Sequence, residues 1–341
     1  MTKGARVFLV ALFCGVVCAW WASVPVRTQS QEGLSQIWTA PRLADGQPNI
    51  EGVWNSVAAT HTPLQLPASL ADKDSFTQDE LDALVAARAE GRGDASEWDR
   101  PDPGASVNEG DLAYAPYWFD TFWSEPVAGD APALVVDPPD GRIPEFMPST
   151  RERLRDTRQH LHDSYAYMES GDRCITRGVL GMMMPTAYNN GTLILQPPGF
   201  VVLHSEMIHN ARIIPIDGRQ HLDQDIRQWD GNPRGHWEGN TLVVESTNFR
   251  AVRSMRGPTP GIRSRQSEEQ RLVERFTIVD RETIEYSAHV DDPATYNGPW
   301  AGAFPLKRDS DYQQFEYACH EGNYSVPNAL GGARAEERSG R

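Results

Sequence analysis

From residue 191 onward the chain falls into short segments rich in β-branched and aromatic residues, each closed off by a brief turn. Candidate strands run over 192–196, 200–207, 210–216, 234–238, 241–249, 272–279, 283–290, 300–306 and 312–318. The separators include Pro-Pro-Gly at 197–199, Glu-Gly-Asn at 238–240 and Asp-Arg-Glu at 280–282. Links this short join neighbouring strands as antiparallel hairpins. Segment 283–287 alternates Thr283, Glu285 and Ser287 with Ile284 and Tyr286, whereas FVVL and TLVV are continuous apolar runs, as in strands covered on both faces. The expected fold is mainly β, an antiparallel meander closing into a barrel-like sheet.

The first half reads as a covering layer. NIEGVWNSV at 49–57 predicts a first strand. Thr77-x-x-Glu80 is a capping pattern that opens a helix to about Glu90, and Ser149-x-x-Glu152 opens a second to about His162, with Leu154 and Leu161 inward. Between them lie a turn-rich loop at 91–110, six aromatics within 114–123 and a short strand with a Pro-Pro-Asp-Gly turn in 134–146. Residues 31–190 thus supply two short helices and long loops, packed as one unit with a β domain over 191–330. Residues 250–268 read as a long Gly/Pro loop carrying five arginines, and 331–341 as a disordered tail. Met182–Met184 suggest adaptable packing.

Lys3 and Arg6 precede an uncharged, mostly apolar run from Val7 to Val26. Residues 1–30 therefore read as a secretory signal, or as a membrane anchor if uncleaved. The expected location is periplasmic or extracellular, with membrane contact only through this segment. Removing residues 1–30 takes out Lys3, Arg6 and Arg27 and no acid, which moves the net charge from −15 to −18. So acidic a chain disfavours nucleic acid and anionic membranes as partners. Beyond the signal only Cys174 and Cys319 remain, and in an oxidising compartment the simplest expectation is one disulfide.

RGHWEGNTLVVESTNF at 234–249 resembles a motif of an uncharacterised family of exported bacterial proteins, in which Asp commonly stands at the place of Asn240. PRLADGQPNIEGVW at 41–54, VDPPDGRIP at 136–144, IPIDGR at 214–219, DDPATYNGPW at 291–300 and EYACHEGNY at 316–324 resemble the same family, so the likeness spans most of the chain after the signal. It implies export and no particular activity. Gly52-x-Trp54 also resembles the first strand of lipocalin-like barrels, which hints at that fold.

HSEMIHNAR at 204–212 is the densest polar cluster on a predicted strand pair. His204 and Glu206 share a face if the strand is regular, and a bulge could bring His209 beside them, which makes the three weak candidates for a metal. Arg212 sits in an apolar run and needs a partner, for which Glu206 on the adjacent strand is the natural choice. Glu206, His209 and His221 are candidate acid–base groups, with Arg212 holding an anionic group. Arg212, Arg219, Trp229, Arg234, Trp237, Glu238, Tyr188, Asn190 and His320 are candidate ligand-binding residues; Trp can stack on aromatic ligands and Arg can hold a carboxylate. The sequence contains no Walker loop, GxGxxG, GxSxG or Cys-x-x-Cys motif, and it names no cofactor or oligomeric state. Three readings stand: an exported protein that binds a small polar or aromatic ligand in a Trp/Arg/His-lined pocket, an exported enzyme of hydrolase or lyase type, and a structural or assembly protein of the envelope.

Overall fold

The computed structural model describes residues 38–60, 62–71, 73, 76–89, 132–186, 188–256 and 263–340, with backbone alone for 85, 87–89, 253–256 and 263–265. The expected N-terminal signal, the expected loop at 91–110 and the aromatic stretch at 114–123 lie outside the described residues. No described helix is long and apolar enough to cross a membrane.

The fold is mainly β and barrel-like. Its strands are β1 (Gly52–Asn55), β2 (Val135–Asp137), β3 (Gly191–Leu195), β4 (Phe200–Ser205), β5 (Asn210–Pro215), β6 (Asn232–Glu238), β7 (Thr241–Thr247), β8 (Val252–Arg256), β9 (Arg263–Gln266), β10 (Arg271–Ile278), β11 (Thr283–Asp291) and β12 (Trp300–Arg308). The main sheet runs β5-β4-β3-β1-β12-β11-β10-β7-β6, with β2 added beside β12. The first strand meets the last, Trp54 opposite Arg308, so the two ends of the meander pair within the sheet.

Every pairing along this path is antiparallel. Eight such steps separate β5 from β6, so these two strands run in the same direction. No ladder joins them among the described residues. An up-and-down ring of nine strands must contain one such parallel neighbour pair, and here it is the seam. Residues 216–231 carry the chain back along it: His221 Nδ1 donates to Asn232 O (2.9 Å) and Leu222 N to Asn232 Oδ1 (2.9 Å). Gly235 makes close approach possible, because a Cβ there would lie 2.9 Å from both Ile214 and Ile216.

The core lies inside the ring. Leu272, Glu274, Phe276 and Ile278 of β10 point inward while their neighbours are half-exposed. Phe276, Tyr286 and Phe304 stand opposite one another on β10, β11 and β12, with successive ring centroids 5.0 Å apart. At the far end Trp54 is fully buried, donates from Nε1 to Ile50 O (2.9 Å) and is covered by the Arg308 guanidinium, 4.2 Å from its ring. Gly52 is needed there: its φ is +126°, and a Cβ would fall 2.5 Å from Arg308 Nη1.

Among the described residues four α-helices accompany the sheet: α1 (Gln78–Ala89), α2 (Pro148–Gln159), α3 (Gly178–Met183) and α4 (Ser325–Ser339). The Thr77 capping box forms, with Thr77 N donating to Glu80 Oε2 (3.0 Å) and Glu80 N to Thr77 Oγ1 (3.4 Å). The box expected at Ser149 does not: Pro148 takes the first helical position, Met147 precedes it without a side-chain cap, and the helix ends at Gln159.

Three other expectations are corrected. Residues 312–318 form no strand; they run as an irregular strap over β3 and β4, whose edges are already paired within the ring. The 250–268 loop contains the β8–β9 hairpin, closed where Val252 meets Gln266. Residues 331–339, expected as a disordered tail, complete α4, whose Arg334 donates to the carbonyls of His162 (3.2 Å) and Asp163 (3.4 Å). Cys174 and Cys319 are disulfide-bonded across 145 positions. In the chain-entropy account a loop of that length contributes about 5 kcal/mol.

Candidate functional site

The rim where β5 and β6 begin gathers much of the polar chemistry. Trp229 lies just before β6, Arg250 just after β7, and Arg173 on the turn that carries Cys174. Their side chains form a ladder. The Arg250 guanidinium sits 5.0 Å from the Trp229 ring, Arg173 sits 6.0 Å from the same ring, and Arg173 also lies 5.1 Å from the Tyr165 ring. Tyr165 and Arg250 are exposed, while Arg173 and Trp229 are half-buried. Among the described residues neither guanidinium meets a carboxylate at ion-pair distance, whereas Arg219, Arg227, Arg271 and Arg275 each do. In a chain of net charge −15 that contrast marks two cations left available beside an aromatic surface.

The ladder is built on a buried hydrogen-bonded frame. Gln266, 4% exposed, donates from Nε2 to Trp229 O (2.8 Å) and Arg250 O (3.0 Å), which fixes both rungs with one amide. Arg250 N donates to Gln228 O (2.8 Å). Asp230 accepts from Thr176 Oγ1 (2.6 Å) and Asn210 Nδ2 (2.8 Å), tying the Trp229 segment to the Arg173 turn and to β5. The Thr176 hydroxyl also accepts from Gly178 N (2.8 Å), at the start of α3.

Below the rim, Arg212 crosses the barrel to Glu274, not to Glu206. Its Nη1 donates to Oε1 (3.0 Å) and Nη2 to Oε2 (2.5 Å), and Tyr286 OH donates to Oε1 (3.0 Å). All three side chains are buried. Burial opposes the charge on Arg212, yet the Glu274 carboxylate outweighs it and holds the guanidinium above its ordinary range. Burial first, and then the Glu274 charge, push the Tyr286 hydroxyl well above its usual value. With two of its donors bound to Glu274 inside the ring, Arg212 serves as a core ion pair.

The expected acid–base set does not converge. Glu206 is buried just past β4 and accepts from Asn189 Nδ2 (2.7 Å) and Tyr312 OH (2.5 Å). His204 turns to the outer face of β4 and meets Gln314 (2.8 Å). His209 donates to Tyr317 O (2.7 Å) and His221 to Asn232 O (2.9 Å). No two of the Glu206, His209, Arg212 and His221 side chains are hydrogen-bonded to each other, and Glu206 meets His209 only through the backbone, His209 N donating to Glu206 O (2.8 Å). A left-handed backbone at Ile208 (φ 58°) and His209 (φ 41°) turns His209 away from Glu206. Among the described residues no group of three or more His, Cys, Asp and Glu could hold a metal ion, so the His204–Glu206–His209 set is not assembled.

The other candidates scatter. Arg219 pairs with Asp217 and lies 5.5 Å over the Phe200 ring. Arg234 donates to Gln220 O (2.9 Å), Trp237 to Gln47 Oε1 (2.8 Å), and Glu238 pairs with Arg275. Asn190 is buried, with its amide oxygen accepting from Thr186 N (2.7 Å), and Tyr188 is half-buried. His320 is exposed beside the disulfide.

Glu274, Asp230 and Gln266 were missed by the sequence reading. Glu274 had a signal: it occupies the apolar phase of the alternating run Leu272, Phe276, Ile278. Asp230 and Gln266 had none, since each acts through partners distant in sequence. No protein-family model, curated protein or solved structure matches the chain.

Proposed function

We propose that this chain is an exported binding protein that captures a small anionic molecule with a planar or aromatic body at the rim ladder. One observation carries the reading: Arg173 and Arg250 flank Trp229, and among the described residues no carboxylate lies at ion-pair distance from either guanidinium. Guanidinium groups bind carboxylate or phosphate through paired N–H donors, and the exposed Tyr165 ring offers a flat surface for the rest of the ligand. Gln266 holds the Trp229 and Arg250 rungs in place beforehand, which lowers the ordering cost of binding. The disulfide is compatible with export.

Titration calorimetry with benzoate and phenyl phosphate, against neutral benzyl alcohol, tests it. The anions should bind with Kd below about 1 mM, equivalent to roughly 4 kcal/mol. Binding should weaken with added salt and in Arg173→Gln or Arg250→Gln. Equal affinity for the alcohol, or unchanged affinity in both variants, would refute the reading.

A further inference from the structure

The Cys174–Cys319 disulfide lies next to a rung of the ladder. Arg173 directly precedes Cys174, whose φ of 54° places a non-glycine residue in the left-handed region. The turn closes on itself through Arg173 N to Glu169 O (3.2 Å), Cys174 N to Gly171 O (2.9 Å) and Ile175 N to Ser170 O (2.9 Å). From the C-terminal side it is held by the disulfide and by Asn323, whose Nδ2 donates to Asp172 O (3.0 Å) and lies 3.0 Å from Cys174 Sγ. The strap before Cys319 has its own fastenings: Tyr312 to Glu206 (2.5 Å), Gln314 to the carbonyls of Gly191 (3.1 Å) and His204 (3.0 Å), and Tyr317 O from His209 (2.7 Å). Breaking the S–S bond would leave those in place and release only the section that grips the Arg173 turn. The other rungs are independent of it, since Gln266 fixes Trp229 and Arg250 without touching either cysteine.

We infer that the Cys174–Cys319 disulfide makes the rim site redox-gated: the anion ladder is complete only in the oxidised chain, and reduction withdraws Arg173 from Trp229. This rests on the proposed ligand site and names its regulation. Reduction adds two electrons and two protons to the S–S bond and yields two thiols, while a dithiol reductant closes to its own disulfide. Exchange with a dithiol oxidoreductase would run the same step in either direction.

The test compares oxidised protein, dithiothreitol-reduced protein and the Cys174→Ser/Cys319→Ser variant, using benzoate titration and NMR of the Arg173 side chain. In the oxidised chain the Trp229 ring current should displace the Arg173 resonances, and Trp229→Phe should reduce that displacement. Reduction should abolish it and weaken benzoate binding at least about tenfold, while far-ultraviolet circular dichroism keeps the β signature. Survival of the Arg173 displacement in folded, reduced protein would overturn the inference. Oxidised protein that binds no benzoate would instead reject the ligand reading, and the NMR comparison would still decide the gating. If reduction unfolds the chain, Asn323→Ala decides it: the disulfide stays, the Asp172 clamp goes, and the displacement should shrink, whereas an unchanged one counts against the inference.

Discussion

Replacing Arg212 by Leu would leave Glu274 in the barrel with no counter-charge. The parent guanidinium is 5% exposed and the carboxylate 0%, so water reaches neither. After the change the carboxylate would keep only the Tyr286 hydroxyl at 3.0 Å. Breaking one side of a buried pair costs about 3–5 kcal/mol. For a chain of this size that lowers Tm by on the order of 10 °C. The loss should depend on pH in a definite direction. Without Arg212 the barrel holds a buried carboxylate with no counter-charge, and protonation removes the charge that burial disfavours. The deficit should therefore be largest near neutrality and shrink on acidification. Urea unfolding of parent and variant at pH 7.5 and 5.0 measures it. Adding Glu274→Gln, which removes the charge but keeps an acceptor for Tyr286, should recover more than half of the loss. A deficit under about 1 kcal/mol at pH 7.5, one that does not ease at pH 5.0, or a double variant no better than the single would refute the buried-charge account.

Gly52→Ala should cost about 2–3 kcal/mol, because the methyl displaces Arg308 from Trp54 and the backbone disfavours any side chain at φ +126°. In a double-mutant cycle by chemical denaturation the Gly52→Ala and Arg308→Ala losses should be sub-additive, and simple additivity would mean that the guanidinium does not share the site. The Asp217 carboxyl, held down to about 2 chiefly by its hydrogen bonds from Arg219, should titrate by NMR below pH 3 and return toward about 3.9 in Arg219→Ala, with little change in stability at so exposed a pair; an unmoved midpoint would reject Arg219 as the cause.

Local physics made much of the fold legible. Hairpins such as β6–β7 and β10–β11 announce themselves through alternation and short turns, and Thr77 and Glu80 are close enough to cap each other. The disulfide followed from there being two cysteines after residue 30. What escaped depends on parity and distance. Segment 312–318 has the pattern of a strand but lies over β3 and β4, both of whose edges are taken, and without it the ring holds nine strands, which is what sets β5 and β6 parallel. Arg212 was rightly seen to need a partner, but the neighbouring strand was the wrong place to look, because its side chain spans the barrel to Glu274, 62 positions away. The site divides in the same way. Trp229 was visible as a platform, while its second cation, Arg250, lay in what read as a loop, and Gln266 offers no pattern that marks it.

The closure of the ring also governs when this protein can be made whole. Asn55 donates to Asp309 (2.9 Å) from 254 positions away, and β1 completes its pairing only when β12 arrives. A chain emerging N-terminus first holds an unclosed sheet for nearly its entire synthesis. The hairpins can assemble as they appear, but the cooperative structure must wait for the final strand. Until residue 308 is available the molecule is a set of local pairings, so truncation just short of β12 should remove the barrel and not merely shorten it.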